Sequence, residues 1–228
     1  NDLDAKSGGD DFRFSPKWTY NMVNKGNNSG SWYYWAYEIG QKHGAATWSE
    51  LPYDNNYREW SIDPDVWENA LHKRFDQYGF IPDTDQDSGI RQVKEMLLNG
   101  YVLNIPTYIN SWVWQHISDD PDSIEDDAFS GKKCVAWVNG KAGYHAMTVV
   151  GYNDHIWVDI NDNNQVDEGE KGAFRIANSW GSGWGEGGFA WMAYDALKNP
   201  SAVSGGPAEK RITGWYPSRA HWVTARSG

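Results

Sequence analysis

The sequence predicts an α+β protein, helical over roughly its first hundred residues and built mainly of antiparallel strands after them. Three observations carry this. Residues 64–75 place Val66, Ala70, Leu71 and Phe75 at helical spacing, and residues 88–99 do the same with Ile90, Val93, Met96 and Leu97. From Tyr101 the pattern changes to short apolar runs of strand length, YVLNIPTYI and then HAMTVVGY. Residues 171–191, KGAFRIANSWGSGWGEGGFAW, read as strand, polar turn, Gly-rich loop and second strand, with Phe174, Ile176 and Phe189, Trp191 alternating on the two strands.

Composition narrows the function. The chain has 228 residues and 25.9 kDa, enough for one large or two small domains with a real core. A net charge of −11 and a pI near 4.9 argue against nucleic acid or an anionic membrane as partner. No apolar run reaches membrane-spanning length. Asn1 is read as a processed end or an artificial boundary. The single cysteine, Cys134, excludes a disulfide framework. Fifteen Trp and thirteen Tyr, with many Asn, Asp and Gly, associate the chain with secreted bacterial proteins, so an extracellular location is expected.

Taken in order, residues 1–11 form a polar, acidic, Gly-rich arm. Residues 12–100 form the mainly helical part and 101–228 the sheet part. Ser15-Pro16 opens a first helix, with Pro in its first turn. Trp32, Tyr33 and Trp35 read as part of an aromatic helix ahead of Gly44. Asp63 or Ser61 caps the next one ahead of Pro64, with Gly79 as its stop. Asn99-Gly100 ends the helix of residues 88–99. Residues 101–109 are a strand. Residues 112–132 read as a surface excursion whose acidic cluster is a solvated face. A short helix at 194–198, a loop at Gly205-Gly206-Pro207 and a strand at 221–224 close the chain.

Two motifs carry chemistry. His145 opens the strand HAMTVVGY, and Asn178 and Trp180 stand in NSWGSGWGEGGF, where Gly181, Gly183 and Gly185 punctuate two tryptophans. An imidazole that works as a base, or pairs with a thiolate, needs one ring nitrogen held by a fixed acceptor. Read alone, His145 is a satisfied structural histidine at a strand start. Read together, the two motifs resemble the papain-like cysteine peptidases, whose strand reads HAV-x-x-VGY and whose loop reads NSWG-x-GWGE-x-GY. The resemblance implies a papain-like two-domain fold: a partial helical left domain, an antiparallel β-barrel right domain, and an active site in the cleft between them. It further implies that His145 is the catalytic imidazole, that Asn178 orients it, and that Trp180 shields that bond from water.

The resemblance extends upstream. Asn28-Ser29-Gly30 matches the family's C-N-G-G glycine ridge, Ala36 its helix alanine, Gly44 the glycine after that helix, and Leu51-Pro52-Tyr53 its YPY. By resemblance Ser29 and Gly30 border the substrate cleft. Trp32 falls near the pocket for the second residue before the scissile bond. Without the resemblance, Trp32, Tyr33 and Trp35 are core-packing aromatics.

The nucleophile is the departure. The family pattern Q-x-x-x-C-x-x-C-W-A-F is absent, and Cys134 lies only eleven residues before His145. It reads as a free structural or surface thiol, so the nucleophilic Cys is expected outside this chain. Three readings follow. The first is a papain-like peptidase completed by a Cys-bearing companion segment and acting on peptide or protein. The second is a catalytically dead homologue that binds peptide in the cleft. The third, motivated by the Trp and Tyr excess, is a glycan-binding or glycan-processing protein on this scaffold.

Residues 159–170, DINDNNQVDEGE, place oxygen side chains at positions 1, 3, 5, 9 and 12 of a twelve-residue frame, with Val166 at position 8. That is the spacing of an EF-hand calcium loop. Asn164 stands where Gly is usual, but Asn tolerates the left-handed conformation. Asp159, Asn161, Asn163, the Gln165 carbonyl and Glu170 are the expected calcium ligands. The other reading is an acidic turn without metal.

Overall fold

A computed structural model describes residues 13–207 and 213–225. The expected arm at 1–11 lies outside these. The chain divides into two compact units, one running to Gly79 and taking the chain end from Val223, the other Phe80–Trp222. The sequence placed the change at 100/101. The helix at 87–98 joins the later unit because its Ile90 and Val93 lie in the same buried cluster as the sheet residues Leu103, Ile105, Val149 and Phe174.

In the first unit, α1 (Pro16–Val23) begins as expected at Ser15-Pro16, although the Ser15 hydroxyl makes no capping bond. Its Trp18 is the centre of a small core with Ala46, Leu51, Val66 and Ala70. The Trp18 indole donates to the Gly44 carbonyl at 3.0 Å and packs at 4.5 Å from Trp67. Gly44 has φ +70°, and a Cβ there would fall 1.7 Å from the Ala70 carbonyl, so only glycine fits. Helix α2 (Tyr33–Lys42) follows, and α3 (Pro64–Leu71) is capped by Asp63, which accepts from the Asp65 N–H at 2.9 Å. The buried Lys17 ammonium is neutralised by Asp54 and Glu59.

One expectation fails here. Helix α3 stops at Leu71, and Phe75–Ile81 is strand β1, so Phe75 is not a helical position and Gly79 is not a helix stop. The reason is non-local: β1 lies beside β8 (Ala220–Ala225), and the Gln77 N–H donates to the Thr224 hydroxyl at 3.1 Å.

The second unit packs α4 (Asp87–Leu98) on a sheet of β2 (Leu103–Tyr108), β3 (Trp112–His116), β4 (Lys133–Val138), β5 (Tyr144–Trp157), β6 (Lys171–Ala177) and β7 (Phe189–Ala193). The short helix α5 (Tyr194–Leu197) follows β7. The strands run in the order β8, β2, β5, β6, β7, β4, β3. The strand read from YVLNIPTYI is real, over 103–108, and its faces alternate: Leu103, Ile105 and Thr107 are buried and their neighbours only half so. The expected antiparallel pairing holds for β2–β5, β5–β6, β6–β7 and β3–β4, but β4 and β7 pair in parallel, and the strand order runs from β1 at one end to β3 at the other without closing into the expected barrel.

The excursion after β3 is a solvated face, as expected, at Asp119, Asp122, Glu125 and Asp127, but two of its acids are buried. Asp120 is 3 % exposed and Asp126 is fully buried. Asp120 is paired with Lys171, and Asp126 accepts the Trp157 N–H at 3.2 Å through one oxygen while the other has no partner. Burial holds the Asp126 carboxyl above the ordinary range, with Asp120 and Asp127 adding repulsion. Ionisation is therefore opposed in the folded state, and the cost grows as pH rises through and beyond the ordinary aspartate range. Asp126→Asn should melt at a higher temperature than wild type at pH 7, and the gap should close below about pH 4. Equal melting curves at both pH values would contradict the assignment.

Candidate active site

Strand pairing builds the site. Strand β5 pairs with β2 so that Thr107 stands opposite His145. On its other edge β5 pairs with β6, Thr148 opposite Ala177, so the chain leaving β6 runs back alongside the start of β5. Asn178 and Trp180 are thereby delivered to His145 although they are more than thirty residues away in sequence. His145 Nε2 and Asn178 Oδ1 are 2.8 Å apart. The Trp180 indole lies on the imidazole with ring centroids 4.7 Å apart and planes 35° from parallel.

The roles of the atoms follow from one further bond. The Ser179 N–H donates to Asn178 Oδ1 at 2.7 Å, which identifies that atom as the carbonyl oxygen. An oxygen accepts, so His145 Nε2 must donate. The imidazole is thus held as the Nε2–H tautomer, and Nδ1 keeps its lone pair for chemistry. Asn178 Nδ2 is buried with no partner among the described residues. Leaving such a donor unsatisfied costs about 1–3 kcal/mol, a penalty that purely structural packing would avoid.

The Gly-rich loop fixes Asn178. Its N–H donates to the Gly188 carbonyl at 2.9 Å, and Gly188 N–H returns to the Trp184 carbonyl at 2.7 Å. Gly185 has φ +55°, and a Cβ there would lie 2.2 Å from the Phe189 carbonyl. Gly185 is therefore a steric requirement of the turn that carries Asn178.

Cys134 cannot serve this imidazole. It is fully buried on β4, and burial pushes its thiol far above the ordinary range. It is a buried structural thiol and not a surface one. Strand β4 is three strands from β5 in the sheet, which places it roughly 14 Å away across the sheet at ordinary strand spacing.

Ser29, Gly30 and Trp32 belong to the first unit, whereas His145, Asn178 and Trp180 belong to the second. Ser29 is exposed, Gly30 adopts φ +86° with its N–H directed at the Tyr20 hydroxyl, and Trp32 is 61 % exposed. Trp32 and Trp35 are thus not core aromatics, and Trp35 instead carries Lys25 over its ring at 4.6 Å.

The loop at 159–170 is closed by its own side chains. Asp159 accepts the Asn163 and Asn164 N–H groups, Asn161 Oδ1 accepts the Asn163 N–H, and Asn163 Oδ1 accepts the Gln165 N–H. Asn164 takes the left-handed conformation, φ +57°. The Asn161 and Asn163 amides both donate to Asp167. Glu170 is 1 % exposed and its carboxylate accepts from Ile160 N, Trp157 Nε1 and Asp167 N. Among the described residues no three His, Cys, Asp or Glu side chains gather as a metal site.

Comparison with known proteins bears on the fold. No family model matches the sequence, and no curated protein matches it. Solved structures do. The bromelain protease from Ananas comosus, in complex with the E64 inhibitor, is 19 % identical, with 98 % of this chain and 82 % of that chain covered at TM-score 0.55. Xylellain, a cysteine protease from Xylella fastidiosa, is 19 % identical, with 94 % and 70 % covered at TM-score 0.56. Digestive procathepsin L 3 of Tenebrio molitor larval midgut is 16 % identical, with 97 % and 58 % covered at TM-score 0.52. The chain has the papain-like cysteine protease fold. Within that α+β fold, the sheet unit carries the histidine–asparagine pair and its indole cover. No described helix is long and apolar enough to cross a membrane.

Reading the sequence missed three residues near the site: Trp184, Trp112 and Trp114. Their rings adjoin Trp180 in turn. The signal was the run Trp112, Val113 and Trp114, whose aromatic and β-branched side chains favour a strand inside what read as an excursion.

The tautomer is directly measurable. In long-range 1H–15N spectra, His145 of the wild-type chain should appear protonated at Nε2 when neutral, and Asn178→Ala should give a tautomer mixture. A wild-type ring protonated at Nδ1 would contradict the geometry.

Proposed function

We propose that this chain carries the acid–base part of a papain-like cysteine peptidase whose nucleophilic thiol lies outside these 228 residues, in a Cys-bearing companion segment. The supporting observation is the Nε2–H bond to Asn178, which leaves His145 Nδ1 as the ring atom available to a thiol. The substrate class is peptide or protein, and an extracellular location belongs to the same reading.

In the reaction, the thiol proton resides on His145 Nδ1 and the thiolate sulfur attacks the scissile carbonyl carbon. As the C–N bond breaks, His145 delivers that proton to the departing amine. A water then attacks the thioester, giving its proton to His145 and its oxygen to the acyl carbon. The C–S bond breaks, and the thiol and a carboxylic acid are regenerated. Asn178 holds the ring in one tautomer throughout, and Trp180 covers the bond. By resemblance, Ser29, Gly30 and Trp32 contribute peptide contacts.

The naturally expressed protein, with whatever flanks this chain, should be labelled covalently by a thiol-directed peptide epoxide on a cysteine other than Cys134. His145→Ala should lower peptide hydrolysis by at least about a thousandfold. Undiminished turnover in that variant would overturn the assignment of His145. Peptide binding without any labelled cysteine would instead make the chain a peptide-binding relative.

We also propose calcium for the loop at 159–170. The left-handed Asn164 and the turns made by Asp159, Asn161 and Asn163 match the frame of a calcium loop. Asp159, Asn161, Asn163 and the Gln165 carbonyl are the oxygens that would hold the ion. Glu170 would join only by giving up its internal bonds. The ion would brace the connection between β5 and β6, on which the His145–Asn178 pairing depends. A chelator should lower the melting temperature by several degrees, and Asp159→Ala should abolish that sensitivity. A melting curve indifferent to chelator would remove calcium from the account.

A further inference from the structure

The first unit commits buried polar groups to holding one exposed loop, and the chemistry above gives that loop no task. The loop is DNNYREWS, residues 54–61, between Tyr53 and the cap of α3. Lys17 and Asn21 of α1, with Asn24 just beyond its end, are buried and reach across to it. Their spacing places them on one side of the helix. Lys17 pairs with Asp54 at 2.8 Å and with Glu59. The Asn21 amide donates to the Asn56 carbonyl at 3.0 Å and to the Glu59 carbonyl at 2.7 Å, and the Asn24 amide donates to the Tyr57 carbonyl at 2.7 Å. Burying an ammonium and two amides is unfavourable unless each finds a partner, and these donors find theirs in the loop. The far end is tied as well, since the Trp67 indole N–H donates to the Ser61 carbonyl at 2.8 Å.

What the loop presents is Trp60. Its ring lies offset on Trp67, with centroids 6.5 Å apart and planes 14° from parallel, and Trp67 packs 4.5 Å from the buried Trp18. One side of the indole is thus backed by a fixed stack, while Trp60 is still 50 % exposed. The cleft between Trp60, Trp18 and Trp67 has room for about one water molecule. No side chain of a partner fits into it, so a ligand must lie across the ring. The same loop exposes Asn55, Asn56 and Arg58. Arg58 is steadied over the Tyr57 ring at 5.3 Å, and its Nε–H donates to the Gly26 carbonyl at 3.2 Å.

We propose that the loop at 54–61 binds a neutral oligosaccharide, one pyranose ring stacking by its C–H face on Trp60. Three features select this class. A flat apolar surface without a pocket suits a pyranose, which offers a flat patch of C–H bonds, whereas the side chains that anchor protein interfaces fill pockets. The hydroxyls on the rim of a sugar need planar donors and acceptors close to the apolar face, and Asn55, Asn56 and Arg58 are of that kind. Asp54, Glu59, Asp63 and Asp65 stand against Arg58 and the buried Lys17, an acidic surround that disfavours uronic-acid or sulfated chains. Because the loop is fixed beforehand, little of it has to be ordered on binding. The site uses none of His145, Asn178 and Trp180, so it goes beyond the peptidase reading and does not depend on it.

Calorimetric titration of the naturally expressed protein with cellohexaose, mannohexaose and N-acetylchitohexaose tests the site, with hexagalacturonate as the anionic control. At least one neutral hexasaccharide should bind with Kd below about 1 mM. Trp60→Ala should weaken that binding about tenfold or more. Trp60→Tyr keeps a flat ring and should stay within about threefold of wild type, whereas Trp60→Leu, apolar but not flat, should lose as much as the alanine variant. Native melting curves are required of each variant, and three substitutions keep the test open if one of them fails to fold. No binding by any neutral hexasaccharide overturns the site, as does undiminished binding in a folded Trp60→Ala protein. Leucine serving as well as tyrosine would make Trp60 a general apolar contact and overturn the stacking. Binding of hexagalacturonate alone would overturn the choice of ligand. Labelling by the peptide epoxide does not enter this readout, so a failed sugar site leaves the peptidase reading standing.

Discussion

The bond from His145 Nε2–H to Asn178 Oδ1 is the constraint that the rest of the second unit serves. It joins residues distant in sequence, so it exists only if β5 and β6 hold their register and the loop after β6 holds its turn. The register places Thr148 against Ala177. The turn is fixed by the Asn178–Gly188 and Gly188–Trp184 backbone bonds and by a glycine at 185 that no side chain can replace. The bond in turn fixes the tautomer, and the tautomer determines which nitrogen is left for proton transfer. Thus a packing requirement of backbone glycines becomes a chemical property of one imidazole.

The buried polar groups around the β5–β6 connection follow a related logic. Trp157 donates from its backbone to Asp126 and from its indole to Glu170, while Glu170 also collects the Ile160 and Asp167 N–H groups. Lys171 neutralises Asp120. Glu170 is satisfied by donors from Trp157 and from the connection itself and Asp120 by Lys171, whereas Asp126 keeps one oxygen without a partner among the described residues. The loop at 159–170 is therefore tied to the core at its base even while its tip faces water, which keeps a long insertion from disturbing the register beside it.

Legibility in the sequence follows how local each feature is. His145, Asn178 and Trp180 were readable because each motif is contiguous and the loop between β6 and β7 is marked by its glycines, of which Gly185 admits no side chain. Helices α3 and α4 were readable from apolar spacing, Asp63 and Pro64. Strand β1 was not, because Phe75 falls four residues after Leu71 and mimics another helical turn, while its partner β8 comes from the chain end. The burial of Asp120 and Asp126 was hidden for the same reason: their partners, Lys171 and the Trp157 N–H, are remote. Trp112, Val113 and Trp114 have strand-forming side chains, but the ring neighbour of Trp114, Trp184, lies seventy residues onward. For Cys134 the sequence exposed only its place in the chain, eleven residues before His145; that the thiol is buried on β4 is visible in the structure alone.

The most direct test of the central claim is the pH dependence of thiol alkylation in the naturally expressed protein. If His145 Nδ1 pairs with a cysteine, iodoacetamide should modify one residue rapidly well below pH 7, because the imidazolium stabilises the thiolate. His145→Ala should return that rate to the rise of an ordinary thiol near pH 8.5. Alkylation that follows the ordinary thiol curve in the wild-type protein, or that His145→Ala leaves unchanged, would contradict the assignment of His145 and Asn178 to a cysteine peptidase.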